Sequence, residues 1–433
     1  MTNAPTQDPV RRPAGPVGRV SVEVPAMPGW PCWEALREER AFLFRRLADQ
    51  GRWLLFVGER SWGSKPRFSH ADDHGVYRAL DWSYGHCAYD LKNELETLVT
   101  RHPDPFGYPT SRWSVPRWVV EGTPDRVVLH AHAADLEEGL GFCRQLFGPA
   151  PSTGLDQQLD WALDTPRDRY LQQVESLMDH IQLGDIYEVN HCVSRHAHAP
   201  GFDPFAAFGK LLERTDAAFA AFHRMGDRFG LCASPERFLH FVGRRVIAQP
   251  MKGTRPRSRD AAEDARLAQE LAHDAKERGE NIMAVDVMRN DLARVSSPGS
   301  VAVEELCAVR PHARVHQMTS TISAELRSDA TPWDAVRAAF PMASMTGAPK
   351  IRAMELIDAL EDRARGLFSG TLGHFSPDGT GDLNVVIRTV LHDAATGHTS
   401  LTTGSAITAA CDPAAEWEEC ELKARSVIDA LGP

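Results

Sequence analysis

The chain has 433 residues, 42% of them hydrophobic, with 48 Lys and Arg against 59 Asp and Glu, a formal net charge of -11. That length exceeds what one simple core serves, so two subregions or one composite domain are expected, and the charge argues against nucleic acid or an anionic membrane as the main partner. Eight cysteines without a Cys-x-x-Cys pair suit a reducing cytoplasm rather than a disulfide framework or a zinc site, and no run of about 18 apolar residues marks a membrane span.

Met1 to Gly18 is proline-rich and polar, reads as a disordered tail (residues 1–18), and lacks the apolar stretch of a signal peptide. From Ser21 to Gly148, apolar runs such as Trp53-Leu54-Leu55-Phe56-Val57 and Arg126-Val127-Val128-Leu129-His130 alternate with turn-rich pieces. This pattern predicts an antiparallel sheet with few helices, a β-rich scaffold over residues 19–150. Pro149 to Leu159 has the composition of a linker, and Tyr170, Val174, Met178 and Ile181 then recur at helical spacing. Strands and helices alternate beyond, in a catalytic region placed at 160–433.

Within that region, Pro250-Met251-Lys252-Gly253-Thr254-Arg255-Pro256 sets one lysine on a Pro/Gly-flanked turn after the strand-like run Arg244 to Ile247. Partial desolvation would lower its pKa and free a neutral amine as nucleophile or base. A solvated lysine on a basic turn is the plainer alternative. Two segments, Glu277-Arg278-Gly279-Glu280 and Glu416-Trp417-Glu418-Glu419, lead into helical sequence with acids three apart. On a helix each pair shares a face, so the like charges either meet water or share a cation. Apolar neighbours (Ile282, Val285, Met288; Trp417, Leu422, Val427) favour the cation, and carboxylates from two helices suit magnesium, which keeps several waters.

The segments Gly184 to Asn190, Ser234 to Leu239, Pro250 to Arg257, Glu277 to Val295, Thr346 to Glu355, Asp382 to Thr389 and Asp412 to Ala424 together resemble the chorismate-utilising family. That family comprises anthranilate synthase component I, aminodeoxychorismate synthase component I, isochorismate synthase and salicylate synthase. The match runs in order from about Thr165 to the C-terminus, with a fainter one at Tyr84 to Glu94. It implies an α+β fold like that of anthranilate synthase component I: two subregions, large antiparallel sheets with helices packed outside, and the active site in the cleft between.

The resemblance further implies chorismate as substrate and Mg2+ as cofactor. Glu280 and Glu419 would bridge the ion to the ring carboxylate, with Glu277 and Glu416 on its waters. Arg388 would hold the enolpyruvyl carboxylate, with Lys423 as a second carboxylate site and Thr346, Gly404, Ser405 and Ala406 lining the substrate. Lys252, Glu236, Thr254 and His316 would be catalytic, His316 near the departing hydroxyl. Isochorismate and salicylate synthases carry a lysine where this chain has Glu188, and anthranilate synthases usually carry alanine where Lys252 stands. A lysine there is the pattern of enzymes that attack C2 with the lysine and then admit ammonia at C4.

The expected product is 4-amino-4-deoxychorismate, with anthranilate as the alternative and a catalytically lapsed regulatory subunit as a third reading. No nucleophile elbow of a glutaminase surrounds any cysteine, so ammonia is expected from a glutamine amidotransferase partner. Pyruvate removal falls to a separate aminodeoxychorismate lyase. The chain departs from the family pattern at Ser405, which adds a side chain in a glycine-rich run, at Met342-Ala343, and at Phe368 in place of a tyrosine.

Overall fold

The run Trp53-Leu54-Leu55-Phe56-Val57 is buried along its whole length because the strand lies between two apolar layers. Trp53, Leu55 and Val57 enter one core, against the Leu136–Leu146, Pro204–Arg214 and Pro413–Leu431 helices. Leu54 and Phe56 enter another, shared with Tyr84 and Leu372 of a second sheet. Strand side chains alternate between faces, so a strand covered on both sides loses its polar alternation. The computed structural model describes residues 11–12, 18–25, 30–48, 51–148, 158–215, 217–312 and 315–432. The expected tail and linker fall largely outside the described residues.

Both sheets are antiparallel, and each takes strands from both halves of the chain. In the first, of thirteen strands, Ala41–Arg46 of the N-terminal half pairs with Phe219–Met225, opposing Phe44 to Phe222. In the second, of ten strands, Ser83–Cys87 pairs with Thr371–Phe375, opposing Gly85 to Gly373. Regions 19–150 and 160–433 are therefore stretches of sequence that build common sheets. The architecture is α+β, with helices on the outer faces. The predicted helix at Tyr170 spans Arg167–Gln182 and buries Tyr170, Val174 and Leu177 against Val189 and Trp417.

Two helices aim their N-termini at the end of the sheets. Asp274 caps Ala275–Ala293 by accepting from the Lys276 and Glu277 N–H groups, and Asp412 caps Pro413–Leu431 by accepting from those of Ala414 and Ala415. Each cap satisfies backbone donors that the helix itself cannot. All eight cysteines are unpaired, and among the described residues no helix is long and apolar enough to cross a membrane.

Candidate active site

Lys252 lies on the strand Met251–Pro256, antiparallel to Val315–Glu325, and not on a free turn. The register slips between Met251 and Thr254, and Gly253 sits at φ +84°. This bulge re-aims the lysine. A Cβ on Gly253 would stand 3.0 Å from both Glu277 Oε2 and Leu271 Cδ1, so glycine is required there by conformation and by space. The Lys252 Nζ reaches Glu188 Oε1 at 2.8 Å and Glu280 Oε2 at 3.6 Å, with its side chain 11% exposed.

The expected depression of the lysine pKa is not what the surroundings produce. Burial pulls it down, but Glu188, Glu280 and Glu419 outweigh burial and raise it, so the group is held as an ammonium. Glu188 is the partner that sequence reasoning missed, having been weighed only as a position lacking a lysine. The pairing of Glu188 with Ala348 and Thr408 on two neighbouring strands fixes its backbone.

Glu236 is buried and accepts from the Ser344 hydroxyl at 2.7 Å. Burial pushes its carboxyl up to about 7, against the pull of Ser344, Lys252 and Lys423, so a proton is available on it near neutrality. Lys423 donates to Gly404 O at 2.7 Å and pairs with Glu419 at 2.6 Å. Arg388 adopts φ +53°, a strained setting for a side-chain-bearing residue, and donates to Ser426 Oγ at 2.5 Å and Lys423 O at 3.3 Å. Burial lowers its pKa to about 10, offset in part by Glu419.

Glu280 and Glu416, on different helices, flank Lys276, and Glu277 lies near Glu419. Glu280 and Glu416 are 7% and 1% exposed, and Glu280 Oε1 and Glu416 Oε2 have no hydrogen-bond partner among the described residues. Burial raises the Glu280 carboxyl to about 7, and burial with Glu419 nearby raises Glu277. Among the described residues no three of His, Cys, Asp and Glu close into a ready metal cage. A cation of the protein's own stands among them instead: Lys276 Nζ lies 2.7 Å from Glu416 Oε1 and 3.9 Å from Glu280 Oε1. Buried carboxylate oxygens without donors, near the N-terminal ends of two helices, fit a hard divalent ion. Lys276 had gone unnoticed, although a lysine at a helix N-terminus, where the dipole disfavours it, is itself a signal.

His316 does not join this group. It shares the helix-facing side of its strand with Met318, which packs on Leu271, and its Nε2 meets Asp264 at 2.9 Å. Strand alternation turns its neighbour Gln317, opposite Thr254, to the other side. Thr254 is exposed past the bulge. Thr346 is fully buried, its hydroxyl donating to Met342 O at 3.1 Å and its carbonyl accepting from the Asn190 N–H. Gly404 faces Cys192 and Asn190 too closely for any Cβ, and Ala406 is buried two residues on. The Ser405 hydroxyl points to the opposite side of the strand, 3.0 Å from Tyr170 OH, and so adds no bulk beside Gly404.

The chain matches the chorismate binding enzyme family over residues 48–429. It is 44% identical over 267 residues to an aminodeoxychorismate synthase of Streptomyces griseus, which covers 61% of this chain but 36% of that longer relative. Identity is 35% over 345 residues to aminodeoxychorismate synthase component 1 of Escherichia coli K12, covering 79% of this chain and 75% of the relative. It is likewise 35% over 357 residues to anthranilate synthase component 1 of Thermus thermophilus, covering 80% and 76%. The fold is that of the crystal structure of anthranilate synthase component I from Streptococcus pneumoniae, with a TM-score of 0.72 and 24% identity over 98% of this chain and 95% of that one. With the family match spanning residues 48–429, the chain belongs to the chorismate binding enzymes.

Proposed function

We propose that the chain is the chorismate-aminating subunit of an aminodeoxychorismate synthase, forming 4-amino-4-deoxychorismate on the route to para-aminobenzoate and folate. The observation that carries this is the largely enclosed Lys252 ammonium, hydrogen-bonded to the Glu188 carboxylate and facing Glu280. Glu188 takes a proton from it, and the freed amine attacks C2 of the ring. The C1=C2 double bond shifts to C1=C6 and the C5=C6 double bond to C4=C5, the C4–O bond breaks, and Glu236 protonates the departing hydroxyl, which leaves as water. Ammonia then adds at C4, the double bonds return to C5=C6 and C1=C2, and the lysine leaves as its amine. The net change exchanges hydroxyl for amine at C4.

A magnesium ion held by Glu280 and Glu419, with Glu277 and Glu416 on its waters, would supply positive charge beside the ring carboxylate. Arg388 orients the enolpyruvyl carboxylate with its guanidinium fork, and Lys423 shifts from Glu419 to a substrate carboxylate. Ammonia comes from a glutamine amidotransferase subunit, and a separate lyase releases pyruvate. Unpaired cysteines suit the cytoplasm as the compartment.

Anthranilate synthase activity is the second reading, favoured by the Thermus relative's equal identity over the same share of the chain. The test is incubation with chorismate, Mg2+ and ammonium, followed by added aminodeoxychorismate lyase. Para-aminobenzoate is expected; fluorescent anthranilate forming without lyase overturns the first reading. In wild type, chorismate without ammonia should leave a ring adduct in the intact-protein mass. Lys252→Ala should abolish both adduct and C4 product.

A further inference from the structure

Glu280 is buried, its Oε1 has no hydrogen-bond partner among the described residues, and the two lysines beside it fall short, Lys252 Nζ at 3.6 Å and Lys276 Nζ at 3.9 Å. Glu416, on the other helix, has one oxygen bonded to Lys276 at 2.7 Å and the other without a partner. One ammonium is thus shared unevenly by two acids that need more positive charge than it brings. Lys252 is enclosed, whereas the Lys276 side chain is 41% exposed. Its four-carbon stem can swing into water without any backbone movement.

We propose that the Lys276 ammonium occupies the cation position between Glu280 and Glu416 and is expelled by Mg2+, so that this lysine is a built-in competitor setting how tightly the metal binds. The inference rests on the magnesium reading given above. A divalent ion sits about 2.1 Å from carboxylate oxygens. The Lys276 ammonium stands on the Glu416 oxygen that a water of the ion would occupy and only 3.9 Å from Glu280 Oε1, the oxygen of a direct ligand, so the two like charges would be driven together and repel strongly. The resting site sets the Lys276 ammonium against Glu416 and Glu280, whereas the loaded site receives a dication together with a dianionic substrate. In the resting state Lys276 offsets the repulsion between the two carboxylates.

The test is isothermal titration of the full chain with MgCl2, without chorismate, on wild type, Lys276→Met, Lys276→Gln and Glu416→Gln, with circular dichroism to confirm folding. Losing a charge-assisted competitor should tighten Mg2+ about tenfold in both lysine variants. Mg2+ should also raise their Tm by more than it raises that of wild type. Lys276 variants that bind Mg2+ no better than wild type, or show no binding heat at all, overturn the proposal. If Glu416→Gln weakens binding in that case, the metal assignment survives. If Glu280→Gln and Glu416→Gln both keep wild-type affinity, the metal assignment itself fails.

Discussion

At the scale of single residues, environment decides protonation, and it does so differently for groups a few ångströms apart. Glu236 is buried and Lys252 nearly so, but Lys252 faces carboxylates and stays charged, while Glu236 has a hydroxyl as its near neighbour and holds its proton to about pH 7. Between the ordinary value of 4.5 and 7, folded Glu236 therefore binds more protons than the unfolded chain, and stability falls as pH rises through that window. The shift corresponds to about 3 kcal/mol. Glu236→Gln should flatten that part of the pH–stability curve, read as urea midpoints at pH 5 and pH 7.5, and should lower kcat more than it changes KM. Ser405→Ala should cost about 1 kcal/mol by leaving the buried Tyr170 OH only Cys420 Sγ, 3.7 Å away, with kcat/KM within twofold of wild type. Residue identity was legible in the sequence; the direction of each side chain was not, which is why Ser405 looked obstructive and His316 looked catalytic.

At the scale of elements, two capped helix starts carry the acids, and one bulged strand carries the lysine. The spacing of three between Glu277 and Glu280, and between Glu416 and Glu419, was readable because a helix has only one period. What lay opposite was not readable, since Glu188, 64 positions from Lys252, meets it only through sheet packing. Asp412→Ala should remove the acceptor for the Ala414 and Ala415 N–H groups, cost about 1 kcal/mol, and weaken Mg2+ binding by loosening the turn that holds Glu416. Gly253→Ala should be worse for function than for stability. Its methyl must displace Glu277 or Leu271 at a positive φ, so the lysine adduct from chorismate should fall at least tenfold while the protein still folds. An adduct yield equal to wild type would mean that the bulge does not aim the lysine.

At the scale of the whole molecule, both sheets cross the division between residues 150 and 160. A fragment of residues 160–433 would present Phe219–Met225 and Thr371–Phe375 as bare edges and would uncover Leu372 and Leu391 of the inter-sheet core. Open apolar edges invite pairing between chains. Such a fragment should aggregate, or elute as large assemblies on size exclusion, although it contains every candidate catalytic and metal residue. A soluble, chorismate-binding fragment would show that the N-terminal strands are dispensable.

The sequence by itself determined the family, the α+β class, the helix faces bearing the acids and the lysine that distinguishes the proposed chemistry, because these follow from local period and from ordered motifs. Only the tertiary structure decided which charges meet. Glu188 against Lys252, Lys276 between Glu280 and Glu416, and His316 turned toward Asp264 are outcomes of strand register and helix placement. Charge interactions depend on distances of a few ångströms between residues far apart in the chain, and such distances exist only once the sheets have formed.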